Sequence, residues 1–359
     1  MIETRTLLDG RCTMLVGDCI DAMRSMPANS VDCVVTSPPY WGLRDYGVSG
    51  QIGLEPTLSE HLQVMVSVFQ EVRRILKPQG TLWLNYGDCY ATTPNGKSAA
   101  AYKADGSDDR TFRDKPFSTI GGALKPKDLC MIPNRLAIAL QEDGWYVRSE
   151  IIWHKPNPMP ESVYDRPTSS HEKIWLLTKG EDYFYNHEAI REPVSGTANA
   201  RKPGPNSRQN VDRVPRSRKF ANEGDAMIKA KRSFAEGTSD LVETKNSRNV
   251  WTIAPKAFRE AHFATFPPAL AERCIKAGTP KTVCGCCGVV EGCGLICEVF
   301  GRVPGKVFDP FGGAGTVSLV AEQLGVDSIM VELNPEYADI AERRITGVPV
   351  PIETEGEAA

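Results

Sequence analysis

The chain has 359 residues, 41% of them hydrophobic, and a formal net charge of −3. That length suits one large α/β domain with insertions or two smaller domains. The charge excludes a uniformly basic nucleic-acid binder while leaving room for a local basic patch. No apolar run reaches the roughly 18 residues of a membrane span. Met1-Ile2-Glu3-Thr4-Arg5 shows no signal-peptide pattern, so the sequence reads as soluble and cytoplasmic.

Residues 13–16 read as a short strand followed by Gly17-Asp18, which puts Asp18 at a strand end. Residues 20–26 read as a short helix stopped by Pro27. Asp32 to Val35 is a β-branched run of the kind found in a buried parallel strand. It stops at Ser37-Pro38-Pro39-Tyr40. Two prolines fix their own φ and hold the preceding residue extended, so this is a stiff polar tip at a carboxyl strand end. Open α/β sheets bind their ligands there. The following loop, 41–56, holds Trp41, Arg44, Asp45 and Tyr46 and is placed to cover such a site.

Residues 58–76 carry the clearest helical stripe: Leu62, Met65, Val66, Phe69, Val72, Ile75 and Leu76. Thr57 and Glu60 have capping-box spacing, and Pro78 and Gly80 end the helix. A strand over 81–86 follows, giving strand, helix, strand as in a parallel sheet. Residues 91–128 form a long polar loop. A helix over 133–142 and strands over 145–153 and 173–177 come next, with His154-Lys155-Pro156-Asn157-Pro158 leaving a strand end.

Residues 191–250 change character. They hold 13 Lys/Arg against 7 Asp/Glu, a net of +6 that leaves −9 for the remainder. This is a local basic insertion suited to phosphate contacts, or a solvated loop by composition. A helix over 269–276, a strand over 307–309, a helix over 316–324, a strand over 329–332 and a last helix to about 345 complete the pattern. The tail, 347–359, reads as disordered.

Asp309-Pro310-Phe311-Gly312-Gly313-Ala314-Gly315 lies between a strand and a helix. Glycines there let the backbone approach a ligand, and the helix start offers free amides. Thr316 opens that helix. Glu332 ends the next strand, where an acid can accept both hydroxyls of a ribose. The turn lacks G-x-G-x-x-G, which disfavours NAD and favours another adenosine cofactor.

On these residues the chain resembles the amino-group DNA methyltransferases, which methylate cytosine N4 or adenine N6 with S-adenosylmethionine. The similarity covers about 12–90, 128–190 and 250–346. Ser37, Pro38, Pro39 and Tyr40 match the family's catalytic tetrapeptide. Phe311, Gly313 and Gly315 match its cofactor motif, Glu332 its ribose-binding acid, and Asp18 the acid expected near the adenine. The catalytic motif precedes the cofactor motif, the permuted β-type order. The resemblance implies a Rossmann-like S-adenosylmethionine-dependent methyltransferase α/β fold. Its circularly permuted, mostly parallel sheet would carry helices on both faces and inserted loops. Residues 1–190 would form the catalytic half and 251–346 the cofactor half. The strands of Asp18 and Ser37 would both follow the Gly-rich strand and its acid-bearing neighbour in space.

The resemblance also implies a chemistry. Acceptors at the two amino hydrogens favour a pyramidal nitrogen with a localised lone pair. The Ser37 side chain and the Pro38 carbonyl are the candidates, preorganised by the Pro-Pro turn. Tyr40 would stack on a base flipped out of duplex DNA. C5-cytosine methylation needs a nucleophilic cysteine, typically after proline, and the chain has no Pro-Cys pair. In this family serine at the first motif position tends to accompany cytosine N4, so Ser37 favours cytosine over adenine. Methylation of RNA or of a protein amide is a further alternative. The basic 191–250 segment is the first candidate for target recognition and 91–128 the second. A cognate restriction endonuclease is a candidate partner, in a bacterial or phage-infected cell.

Of 11 cysteines, five crowd into 284–297. Cys284 and Cys287 have C-x-x-C spacing, and Cys293 and Cys297 form a looser second pair. Four thiolates make a candidate structural zinc site, against a plain free-thiol insertion.

Overall fold

The computed structural model describes residues 2–93, 117–194, 244–256, 267–291 and 295–347. The chain divides into two compact units, residues 1–186, 249–282 and 303–359 in one, 187–248 and 283–302 in the other. In chain order the first elements are β1 (Glu3–Leu7), β2 (Cys12–Val16), α1 (Cys19–Ser25), β3 (Val31–Thr36), α2 (Leu58–Ile75) and β4 (Leu76–Tyr86). Next come α3 (Ile132–Glu142), β5 (Tyr146–His154), β6 (His171–Thr178), β7 (Glu192–Pro193), β8 (Thr244–Lys245) and β9 (Val250–Thr252). The last are α4 (Pro268–Gly278), β10 (Thr282–Cys284), β11 (Arg302–Pro304), β12 (Lys306–Asp309), α5 (Thr316–Leu324), β13 (Asp327–Glu332) and α6 (Pro335–Thr346).

Nine strands of the larger unit form one sheet in the order β1-β2-β13-β12-β3-β4-β6-β5-β9. Five of the eight neighbouring pairs are parallel. The chain leaves β12 through α5 towards β13, and leaves β3 through α2 towards β4, on the opposite side. The sheet therefore reverses its winding between β12 and β3. This is a Rossmann-like α/β fold with a permuted strand order. One expectation is corrected: the Asp18 strand, β2, lies beyond the acid-bearing β13, while β3 pairs with β12 on the other side. The two strands flank the Gly-rich pair instead of following it together.

Alternation along the strands feeds two cores. Leu15 of β2 and Val331 of β13 point to the face covered by Ala22 and Met23 of α1, Phe69 and Val72 of α2, and Leu136 and Leu140 of α3. Met14, Val16 and Met330 point to the other face, where Ala338, Ala341 and Ile345 of α6 meet them.

Local signals act as expected at several helix ends. The Thr57 hydroxyl accepts from the Glu60 amide at 3.2 Å, and the Glu60 carboxylate accepts from the Thr57 amide at 3.0 Å. Both halves of the capping box are made. The α2 stripe is buried through Met65, Phe69, Val72 and Ile75, with Val68 and His61 added. Strand β4 starts at Leu76, five residues earlier than expected, and runs through Pro78. Its pairing with β3 shifts register between Val31 and Cys33. Proline has no amide to donate to a ladder, which accounts for the irregularity.

Within the smaller unit β7 pairs antiparallel with β8; β10 and β11 form a separate two-stranded sheet. Most of the basic segment, 195–243, lies outside the described residues, as do 94–116 of the polar loop and 348–359 of the tail. The stems of the polar loop are described: Tyr90 bridges Leu129, and the Ala91 amide donates to the Asp128 carbonyl at 2.8 Å. No described helix is long and apolar enough to cross a membrane.

The last residue of α4 packs against the sheet without a side chain. A Cβ at Gly278 would sit 2.3 Å from Trp83 Nε1, 2.4 Å from Thr81 Oγ1 and 2.9 Å from Cys33 Sγ. Gly278→Ala is expected to destabilise the fold by about 1–3 kcal/mol through overpacking, measured by urea unfolding. Unchanged stability would show that α4 can move away from β3 and β4.

Candidate active site

A cleft of about 790 Å³ opens at the carboxyl ends of β2, β13, β12, β3 and β4. It is the place an open α/β sheet provides where its winding reverses. Asp18, Ser37, Pro38, Pro39, Tyr40, Phe311, Gly313, Thr316 and Glu332 all line it. Residues 271 positions apart in sequence, Tyr40 and Phe311, thus share one wall system. The covering loop contributes Arg44, Tyr46, Gln51 and Ile52 to the lining. Trp41 of the same loop is buried in the core instead, its indole N–H donating to the Glu55 carbonyl at 2.8 Å.

On the β12–β13 side Glu332 organises the Gly-rich turn. One carboxylate oxygen accepts from the Gly313 amide at 2.9 Å, the other from the Asn334 amide at 2.8 Å. Burial pushes its carboxyl up to about 6, against these amide bonds. A carboxylate oxygen can accept more than one hydrogen bond, so both remain able to receive a hydroxyl pair. Gly313 holds φ +50° and leaves the turn open to a ligand. The Thr316 hydroxyl accepts from Arg344 at 3.0 Å. Asp18 caps α1, its Oδ1 accepting from the Ile20 and Asp21 amides at 2.9 and 3.0 Å.

Two residues expected to touch a cofactor do not line the cleft. Asp309 is buried, accepting from the Thr36 hydroxyl at 2.7 Å and the Phe311 amide at 3.0 Å. Burial raises its carboxyl to about 7, against the Thr36 hydrogen bond. Its place is behind the turn, joining β12 to β3. Gly315 holds φ +71°, and a Cβ there would meet Ile345 Cδ1 at 2.8 Å and Ala341 Cβ at 3.2 Å. It is glycine for helix packing and for its left-handed backbone.

On the other side the tetrapeptide sits in a polar network. Asn85 Nδ2 donates to Ser37 Oγ at 3.2 Å, to Tyr40 Oη at 3.1 Å and to Glu172 Oε2 at 2.9 Å. The Tyr40 hydroxyl donates to Glu172 Oε2 at 2.8 Å. Lys155 pairs with the other Glu172 oxygen and lies over the Trp153 ring at 4.4 Å. Among the described residues Asn85 Oδ1 is buried without a hydrogen-bond partner, leaving an open acceptor within this network. Burial, and the nearby Glu172 carboxylate, hold the Tyr40 phenol well above its usual range.

A second buried chain holds the Pro-Pro backbone. Tyr86 Oη lies 3.2 Å from the Pro39 carbonyl and accepts from the Trp41 amide at 3.2 Å. His61 Nε2 is 2.8 Å from Tyr86 Oη, and His61 Nδ1 is 2.8 Å from Glu55 Oε2. Tyr86 has one proton, which goes to Pro39 or to His61 according to the imidazole tautomer. Burial works against the Glu55 carboxylate, yet the His61 bond and the Gly53 amide keep it below its usual range.

Sequence reading missed Asn85, Glu172, Tyr86 and His61 as site residues. The one available signal was Asn85-Tyr86 ending a strand beside a cofactor-type site. Glu172 comes from β6, whose antiparallel pairing with β4 has no local signature. Of the thiol set, Cys284, Cys287 and Cys297 are described, and Cys293 is outside the described residues.

A permuted Rossmann-like sheet, a ribose-type acid and a rigid Ser-Pro-Pro-Tyr tip in one cleft define an α/β transferase using an adenosine cofactor. The comparisons agree with that class. A model of the N6/N4-type DNA methylase family matches residues 31–343, and the chain belongs to that family. It is 40% identical over 336 residues to the Type II methyltransferase M.XycI of Xanthomonas campestris pv. cyanopsidis, covering 93% of this chain and 88% of that protein. It is 40% identical over 334 residues to the Type II methyltransferase M.SmaI of Serratia marcescens, covering 93% and 90%. The PvuII DNA methyltransferase (cytosine-N4-specific) superposes with a TM-score of 0.56 at 18% identity, over 95% of this chain and 88% of that one. At that identity the likeness carries the fold.

Tyr86→Phe leaves the Trp41 amide and His61 short of a buried partner and frees the Pro39 carbonyl. A loss of about 1–3 kcal/mol is expected in chemical denaturation, the cost of unsatisfied buried polar groups. A neutral result would show that water replaces the hydroxyl.

Proposed function

We propose that this DNA methyltransferase moves a methyl group from S-adenosylmethionine to the exocyclic amino group of a base flipped out of duplex DNA, with cytosine N4 as the target. The single observation that carries the reading is the shared cleft. It joins the Glu332–Gly313 cradle to the Ser37–Tyr40 tip. S-adenosylmethionine supplies an electrophilic methyl on a sulfonium. Glu332 would hold its ribose, with Phe311 and Gly313 along the nucleoside and Asp18 towards the adenine. Ser37 Oγ and the Pro38 carbonyl would accept the two amino hydrogens. Tyr40, fixed through its hydroxyl by Glu172 and Asn85, would stand against the base.

Ser37 supports cytosine over adenine, because a neutral hydroxyl is the residue this family tends to pair with N4 chemistry. Adenine N6 methylation by the same geometry is the alternative. Residues 191–250, with their net of +6, are the proposed target-recognition region, and 91–128 a second. A cognate restriction endonuclease as partner is consistent with the Type II names of the relatives.

The test is methyl transfer from labelled S-adenosylmethionine to mixed-sequence duplex DNA, followed by mass spectrometry of the nucleosides. N4-methylcytosine is expected, with Ser37→Ala lowering turnover about a hundredfold, the scale of losing one preorganised polar contact at a reacting centre. N6-methyladenine would overturn the base assignment. No methylated base, with cofactor bound, would overturn the substrate.

Glu332 gives a pH prediction. Its carboxyl, raised to about 6, receives a pair of hydroxyls best when ionised, because protonation turns one acceptor oxygen into a donor. Cofactor affinity should be flat above about pH 7, bend near 6, and weaken towards about tenfold per pH unit well below it, by proton linkage. Isothermal titration calorimetry checks this, and Glu332→Gln should bind weakly at all pH with that dependence gone. Burial also raises the Asp309 carboxyl, to about 7, so a dependence that survives in Glu332→Gln would show that it does not belong to Glu332.

A further inference from the structure

Cys284, Cys287 and Cys297 of the smaller unit do not line the cleft. Cys284, at the end of β10, and Cys287 lie three residues apart, and Cys297 follows in a short 3-10 turn. Their three sulfur atoms lie within 4.8 Å of one another. Cys287 Sγ and Cys297 Sγ are 3.8 Å apart. Four thiolates around zinc at about 2.3 Å stand about 3.8 Å from each other along the tetrahedron's edges. The Cys287–Cys297 pair matches that edge, and Cys284 Sγ lies within 4.8 Å of both.

The backbone around the first pair is shaped for it. The Cys284 carbonyl accepts from the Gly288 amide at 2.9 Å, and Gly288 holds φ +70°. The chain therefore turns sharply just after Cys287, which brings the two sulfurs to one side. The Cys286 amide approaches Cys284 Sγ at 3.4 Å. An N–H aimed at sulfur stabilises a thiolate more than a thiol. All three cysteines are free of disulfides.

Backbone bonds from Cys284 to Val289 and from Gly285 to Gly301 tie the segment, but its described residues bury little apolar surface. Within 283–302 the described side chains that are fully buried are Val283 and Cys284. Val299 is 87% exposed and Phe300 59%. A short hairpin with so little core needs a cross-link, and soft thiolates select zinc among the common divalent ions.

We propose that Cys284, Cys287 and Cys297 bind a structural zinc ion that staples this hairpin. Binding releases the thiol protons to solvent and leaves the sulfurs as thiolate ligands.

The full chain, purified without chelator, should hold about one zinc per molecule by plasma mass spectrometry, as a single thiolate site requires. Cys287→Ser and Cys297→Ser should each lower zinc at least fivefold. Those variants could misfold, so two readouts on the unaltered chain stand beside them. Titration with a mercurial should release zinc in step with thiol modification. Cobalt substitution should give the thiolate-to-cobalt charge-transfer band of at least three sulfur ligands. Iron in place of zinc, no metal, a cobalt spectrum with fewer than three thiolates, or a Cys287–Cys297 disulfide in the peptide map would each overturn the proposal.

Discussion

The pairing of β3 with β12 is the constraint on which the molecule depends. It is short, with Val307 opposite Cys33 and Phe308 opposite Val34. It is locked by the buried hydrogen bond from the Thr36 hydroxyl to the Asp309 carboxyl, between residues 273 apart. One strand delivers the Ser37–Tyr40 tip and the other the Gly-rich turn. The rigid Pro-Pro backbone and the αL turn at Gly313 would face nothing if this seam were displaced by a strand width, about 4.8 Å.

Around the seam the chemistry is positioned by polar groups that the core must satisfy. Glu172 fixes Tyr40 from β6, and His61 fixes Tyr86 from α2. Glu172 holds Tyr40 directly, while His61 acts through Tyr86 on the Pro39 carbonyl; neither belongs to the Ser37–Tyr40 segment, yet each restricts how it can move. Unpaired, such groups would cost more than they contribute, so the network is stable only when complete. That favours one conformation of the tip before any ligand arrives.

How much of this was legible follows from the range of each signal. Helix α2 was readable because Thr57, Glu60 and its apolar stripe act within a few turns. Helix α5 was readable from its Gly-rich start, and Gly325, with φ of +71°, ends it. Ser37, Tyr40, Phe311 and Glu332 were readable because each stands at a strand end with a recognisable neighbour. Strand β1 was not seen, since three of its five residues are exposed and it forms an edge. The position of β2 was misjudged because strand order is set by crossovers longer than any sequence window. Asp309 and Gly315 belong to the cofactor motif, and the residues that surround them, Thr36 and Ile345, are distant ones that no motif contains. Asn85 and Glu172 meet only through the register that sets Tyr86 opposite Lys173 and Asn85 opposite Ile174.

The strand order has a consequence for synthesis. The centre of the sheet is made late: β12 and β13 lie beyond residue 305, while the strands they separate, β2 and β3, lie before residue 37. On the ribosome, β2 and β3 must wait for some 270 residues before their inner partners exist. Until then each presents an unpaired edge, the kind of surface that invites intermolecular pairing. The permuted order thus makes nascent-chain folding a matter of timing, and places the burden of protecting β3 on the α1–α2 side already made.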